Sequence, residues 1–453
     1  MALASLAATN LPLVLLSGAI GLLAAAWWSV MLPRLALWLL FGSVVAGQLI
    51  RIQVAGQGGG LLASDLAVGF TIIAGVVSWR RYKNRFADPF QQKGAQLAWL
   101  VLPFIGWSLF TLVIHAFSLE SHQLVIAGLY WVRTSAYLLL FPALAILMLD
   151  PINRTTIRHG LFFTVAGLVM LGIVQVILLS DLSFLSQYGW DPHQRRLVST
   201  WLDPNFIGAF LVVALPWVLA QWSTVKKNVL WRSGYTSLVV LQILAIALTQ
   251  SRSSLVAFLG IFAIAVPYIT WKMAARIRSD HARLLRLVGI IGMCVVWGAL
   301  AAGLLGDRLA GFVQYDPTVT LRTDSLALAW SHIIQPNALV GVGYNAYQFA
   351  AVDAGLIGQF SLHSRAGADN SWLTLWATTG LIGVLLFAWP WIAAGIWLGR
   401  KAVKGLDLQA GAGVLALAGL FIHSQFVNSF LYAHLLVILV AIVTISMQPY
   451  DRR

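Results

Sequence analysis

Continuous apolar runs of about 20 residues, the length a helix needs to cross a hydrocarbon core, recur about a dozen times along this chain. The runs are unbroken. Outer-membrane strands would instead alternate apolar and polar residues over segments of about ten. The sequence therefore predicts an all-α polytopic integral membrane protein of about 12–13 transmembrane helices. Composition agrees: only 10% of the 453 residues are charged, against about 25% in a soluble domain. Expected spans are 11–31, 34–50, 61–79, 97–117, 124–149, 157–179, 204–222, 229–248, 253–270, 287–305, 371–399, 410–427 and 431–447. The first run lacks a basic n-region and reads as a retained helix rather than a signal peptide. The single cysteine, Cys294, excludes an intrachain disulfide and argues against a thiolate metal site. Three regions follow: a helical bundle over 1–305, a polar loop over 306–370 and C-terminal helices over 371–453.

The net charge of +14 suggests a nucleic-acid partner until its placement is traced. Twenty-one of the 29 basic residues fall in one alternating set of loops, from Arg34 through the Arg80–Arg85 and Lys272–Arg286 segments to Arg453. The opposite loops hold seven: Arg51, Arg195, Arg196, Arg252, Arg308, Arg322 and Arg365. This asymmetry predicts that the first set is cytoplasmic, where it also attracts anionic membrane lipid. No basic segment forms a domain of its own or interleaves with aromatics, so nucleic acid is excluded as a partner.

The outward side is where chemistry would sit. It carries ten of the fifteen acidic residues and arginine without lysine, a bias that suits planar contact with phosphate. Two outward segments are long. The first, 180–203, ends in RRLVSTWLDPNF, with Asp203 a plausible N-cap for a helix opened by Pro204. The second, about 306–370, contains RTDSLALAWSHIIQ (322–335). Its apolar residues Leu326, Ala329, Trp330, Ile333 and Ile334 recur at helical spacing, predicting an amphipathic helix on the membrane surface or capping the bundle. Pro336 stops it, and a glycine-rich, aromatic stretch (341–349) follows. Arg252, in ALTQSRSSLVAF, lies in a tight turn beside a helix start whose free N–H groups suit an anion. The alternative is an interfacial arginine reaching for water. No His, Asp or Glu cluster on this side has metal-ligand spacing, and no metal or other cofactor is expected.

These pieces together resemble the O-antigen ligase and O-antigen polymerase family. The resemblance is carried by DPN at 203–205, TQSR at 249–252, RTDSLALAWSHIIQPNALVGVGYNAYQF at 322–349, and His363 followed by DNSWLTLWATTGLIG at 369–383. It covers roughly 195–385. It implies a GT-C-like glycosyltransferase in the bacterial cytoplasmic membrane, with its active site facing the periplasm or cell exterior. The donor would be a polyprenyl-pyrophosphate-linked oligosaccharide, and the acceptor a hydroxyl on a glycan or lipid-glycan. The family's catalytic arginines would map to Arg252 and Arg322, and its base to His363 or to the position before the asparagine. Many ligases have His-Asn entering that helix, whereas this chain has Asp369–Asn370. That departure makes Asp369 an alternative base and leans toward polymerase over ligase. Arg195, Arg196, Asn205, Ser251, Tyr344 and Asn370 would bind substrate.

Other readings stay open. His363 reads equally as a surface histidine, and Trp330, Trp372 and Trp376 as core or as sugar-stacking rings. A transporter or flippase of lipid-linked glycans would need charges along a midplane path and a repeat between halves. No repeat is evident, and one charge, Arg133, falls inside a span. Such a charge is a functional candidate by default, or it is paired with a buried carbonyl or Tyr137. His423, Asn428 and His434 mark the outward turn between the last two spans.

Overall fold

A computed structural model describes residues 32–53, 60–82, 96–188, 190–225, 228–275, 326–356, 367–405 and 407–448, with five isolated positions besides. In chain order the helices are α1 (Pro33–Ala46), α2 (Ala63–Tyr82), α3 (Leu102–Ile114), α4 (Ser121–Leu147) and α5 (Pro151–Leu178). Then come α6 (Pro204–Thr224), α7 (Val229–Thr249), α8 (Arg252–Ala275), α9 (Tyr347–Asp353), α10 (Ser371–Gly405), α11 (Leu408–His423) and α12 (Ala433–Met447). Among the described residues seven helices are long and apolar enough to cross a membrane, and four apolar helices are shorter. The architecture is helical and polytopic, as the sequence predicts. The expected spans 11–31 and 287–305, apart from positions 24, 27, 28 and 291, and residues 306–325 and 357–366 of the polar loop, lie outside the described residues. One feature departs from an all-α reading: a short antiparallel hairpin pairs β1 (Arg51–Gln53) with β2 (Gly60–Leu62).

Helices α6 and α12 form the core. Residues His434–Met447 of α12 are all buried, as expected where a helix is apolar on every side. Helix α6 packs against α7, α8, α11 and α12. Lysine and aspartate close one end of this core: Lys401 bridges to Asp407 at 3.1 Å and donates to the Ser446 and Gln448 carbonyls at the end of α12. Arg34, Arg154, Arg158, Arg232, Arg400 and Lys404 stand near helix ends.

Helix α10 is broken. Gly380 has φ +67° and ψ −179°, so the carbonyl of Ala377 and the N–H of Leu381 lose their helical partners. The loop after the 326–334 helix supplies replacements: Val342 N–H donates to Ala377 O, and Leu381 N–H to Ala338 O, both at 2.8 Å. Freed backbone groups at membrane depth must be re-satisfied in this way. The approach requires glycine on both sides. A Cβ at Gly380 would overlap Leu339, and one at Gly341 (φ +78°) would overlap the Thr378–Thr379 peptide. Trp376 Nε1 and Trp107 Nε1 fasten the junction by donating to Ala338 O and Thr379 O.

The amphipathic segment caps the bundle against α9 and the first half of α10. Ala329, Ile333 and Ile334 are buried with Tyr347, Ala351 and Ala377. Its last turn, Trp330–Ile334, widens to a π-helix. Trp330, on the expected apolar face, is 44% exposed and touches Trp376 edge-on.

Candidate active site

Helix ends meet at the end of the bundle opposite Lys401, and their caps account for much of the motif residues. Asp203 caps α6, accepting from the N–H groups of Asn205 (2.7 Å) and Phe206 (3.2 Å). Burial pushes its carboxyl above the usual carboxylate range, against the downward pull of those two bonds. With Pro204 in the first turn and Asp203 bonded to its backbone, Asn205 is left to point elsewhere. Its Oδ1 accepts the hydroxyl of Ser251 at 2.9 Å.

That bond joins the start of α6 to the turn between α7 and α8. Gln250 there adopts left-handed backbone (φ +51°), which ends α7 and starts α8 within two residues. Ser251, Ser253 and Ser254 are buried and bonded to one another. Ser253 and Ser254 contact His423 Nε2 at 3.0 and 3.2 Å, while His423 Nδ1 meets Ser429 Oγ. Arg252 opens α8 between these buried serines, half-buried itself. Its neighbours hold the turn; Arg252 itself is the first residue of α8, the positive end of the helix.

Arg196 and Arg195 flank this turn. Arg196 Nε donates to Thr249 O at 3.0 Å, satisfying a carbonyl at the end of α7. Arg195 is exposed with φ +52°, its carbonyl accepting from Gln250 Nε2.

The start of α10 reaches the same end through the α11–α12 turn. Asn370 Oδ1 caps α10 through the N–H groups of Trp372 and Leu373, and Asn370 Nδ2 donates to Gln425 O at 2.9 Å. Thr374 donates to Asn428 Oδ1, and Trp372 Nε1 to Ser424 Oγ. Trp372 and Trp376 thus both have their ring N–H groups engaged within the protein. Asp369 is exposed, with φ +48°. Tyr344 lies apart from this cluster: it is buried, its hydroxyl donates to Thr134 at 2.7 Å, and burial pushes its pKa up to about 12. Arg322 and His363 lie outside the described residues.

Sequence reasoning took the α11–α12 turn only as a connection. It is the hub. Its residues 423–432 bond to α8 through His423, to α10 through Ser424, Gln425, Val427 and Asn428, and to Gln48 through Tyr432. Helix α11 has 16 residues, about 24 Å, against a hydrocarbon core of about 30 Å. In this turn His423, Ser424 and Ser429 are fully buried. The available signal was HSQFVNS (423–429), a polar cluster interrupting an apolar stretch. Its phenylalanine and valine extended the apparent span to 427, whereas the helix stops at His423.

Arg133 is also placed differently from the midplane. It forms a two-pronged ion pair with Asp65, in the first turn of α2, at 2.6 and 3.0 Å. It also donates to the Gly60 carbonyl. Helix α4, 27 residues long, carries Arg133 to the level of the hairpin and the α2 start. The reading of a charge paired with a buried carbonyl is the one the structure supports, with a carboxylate added.

Among the described residues no three His, Cys, Asp or Glu side chains converge as metal ligands. Fold and site together describe a polytopic helical membrane protein closed at one end by the Lys401–Asp407 pair, with a buried polar cluster and an arginine at a helix start at the other. Residues 237–388, about a third of the chain, match the family model described as O-antigen ligase. The matched stretch runs from α7 through the Arg252 turn and the capping segment to beyond the break in α10. No curated protein matches the chain.

Proposed function

We propose that this protein transfers a glycan from a polyprenyl (undecaprenyl) pyrophosphate donor to a sugar hydroxyl at the outer face of the cytoplasmic membrane, as a surface-polysaccharide polymerase or ligase. The observation that carries the reading is Arg252, held at a helix start by the Asn205–Ser251 and His423–serine bonds, inside the segment that matches the O-antigen ligase family. In the reaction the acceptor oxygen attacks the anomeric carbon from the side opposite the leaving group. The bond from that carbon to the pyrophosphate oxygen breaks, and its electron pair leaves on the pyrophosphate. Arg252 and Arg322 stabilise that developing charge, as preorganised guanidinium groups do without a metal. The hydroxyl proton passes to a base, His363 or Asp369. Backside attack inverts the anomeric centre.

Asp369 stands exposed one residue ahead of the α10 cap, which suits a group that meets an acceptor. The charge that favoured a transporter, Arg133, is bound to Asp65 near the bundle end. The test is reconstitution of purified protein with a polyprenyl-pyrophosphate oligosaccharide. Longer lipid-linked glycan indicates a polymerase; transfer only to a supplied lipid-glycan acceptor indicates a ligase. No transfer with either acceptor defeats the reading.

A further inference from the structure

A cavity of about 200 Å³ opens beside the hub, with Tyr432 in its wall. Its polar lining comes from Gln48 at the end of α1, Tyr130, Arg133, Thr134 and Tyr137 on α4, and Tyr432 and His434 around the start of α12. Of the two arginines in the lining, one is neutralised and one keeps its charge at the rim. Asp65 holds Arg133 through two bonds, and Arg51 at the rim is exposed with its guanidinium over Trp190. The rest of the polar lining offers hydrogen-bonding capacity on neutral groups. Tyr137 donates to Ser64, which contacts His434 Nε2 at 3.2 Å, and the Nδ1 of this buried histidine has no partner among the described residues. Gln48 Nε2 donates to Tyr432 Oη, leaving the Gln48 carbonyl for a ligand. Two half-buried tyrosine rings, Tyr130 and Tyr432, add flat apolar surface.

Neutral donors and acceptors mixed with aromatic faces suit a hydroxyl-bearing ring rather than an anion. The volume is below the roughly 300–1,000 Å³ of pockets for drug-sized ligands, which limits the occupant to one such ring. Position supplies the link to chemistry. The Tyr432 ring stacks on Phe206, centroids 4.0 Å apart, and Phe206 follows Asn205 of the Arg252 cluster. We propose that this cavity is a subsite for one sugar ring of the glycan substrate, away from the bond that reacts. The proposal rests on the glycan-transfer reading above. Gln48, Tyr130 and His434 are then specificity residues: they choose which sugar may sit there.

The experiment uses the full-length protein in lipid nanodiscs and the repeat-unit oligosaccharide released from the source cell's own surface polysaccharide. Binding is read by saturation-transfer NMR and transfer by the assay above, for wild type, Gln48→Leu, Tyr130→Phe and Arg252→Ala. Each pocket variant should weaken oligosaccharide binding and raise KM by about fivefold to tenfold, the value of one hydrogen bond, with kcat nearly unchanged. Arg252→Ala should retain oligosaccharide binding. Binding and KM unaltered in both pocket variants overturn the subsite, as does inorganic diphosphate displacing the oligosaccharide from it. Oligosaccharide binding sensitive to Gln48 and Tyr130 in a wild type that performs no transfer would instead overturn the catalytic reading and leave the subsite standing.

Discussion

Ser251 donates its hydroxyl proton to Asn205 Oδ1 across 2.9 Å, tying the turn that carries Arg252 to the first turn of α6. Asn205→Leu leaves that hydroxyl without this acceptor in a buried cluster. The expected cost is about 1–3 kcal/mol of stability, read as a lower thermal midpoint in detergent. Transfer should fall further than stability does, because the Arg252 turn loses an anchor. A variant with full transfer would show that the turn is positioned without Asn205.

Arg252→Ala and Arg322→Ala should each cut glycan transfer steeply while leaving folding intact, checked by size-exclusion profile and thermal midpoint. Removing one preorganised charge stabiliser costs about a hundredfold to a thousandfold in kcat. Arg252→Lys keeps charge but loses the planar fork and should recover only part of the rate. Retained activity in both alanine variants would remove these residues from the mechanism.

Breaking the Asp65–Arg133 pair one partner at a time should be costly. Arg133→Met leaves a buried carboxylate and should lose about 3–5 kcal/mol, whereas Asp65→Leu with Arg133→Met should regain much of it. Thermal unfolding of the two single variants and the double variant gives the coupling directly. Additive losses would mean the pair is not coupled.

Gly380→Ala and Gly341→Ala should each lower yield and thermal midpoint sharply. Each forces a Cβ into backbone where φ is positive, a strain of about 1–3 kcal/mol before any steric overlap. Both variants should also lose transfer, since the junction they disturb holds the capping segment onto α10. A normal melting profile for either would contradict the broken-helix geometry.

Asp203 offers a pH test. Burial raises its folded pKa above the unfolded value, so its titration favours the fold below the unfolded pKa, and that contribution is lost as pH rises through the folded value. Asp203→Asn keeps an acceptor for the α6 cap without the charge. The variant should therefore gain on wild type as pH rises above the ordinary carboxylate value of about 4, measured as the difference in thermal midpoints. A difference independent of pH would show that Asp203 does not titrate with folding.

The sequence by itself determined the membrane class, the order of the described spans and the division of charge between bundle ends. Those properties depend on local apolar length and on loop charge, which are carried in contiguous residues. It also picked out DPN and TQSR, because caps and tight turns use residue types that stand out in an apolar chain. Only the tertiary structure decided what those residues hold. Asn205 meets Ser251 from 46 positions away and Ser253 meets His423 from 170, and no periodicity encodes such pairings. Arg133 looked like a midplane charge because its apolar neighbours hid both the reach of α4 and its partner Asp65, 68 residues earlier. The glycines at 341 and 380 read as turn and motif letters. Their shared purpose, a loop backbone replacing the broken bonds of a helix, exists only once the two segments are packed together.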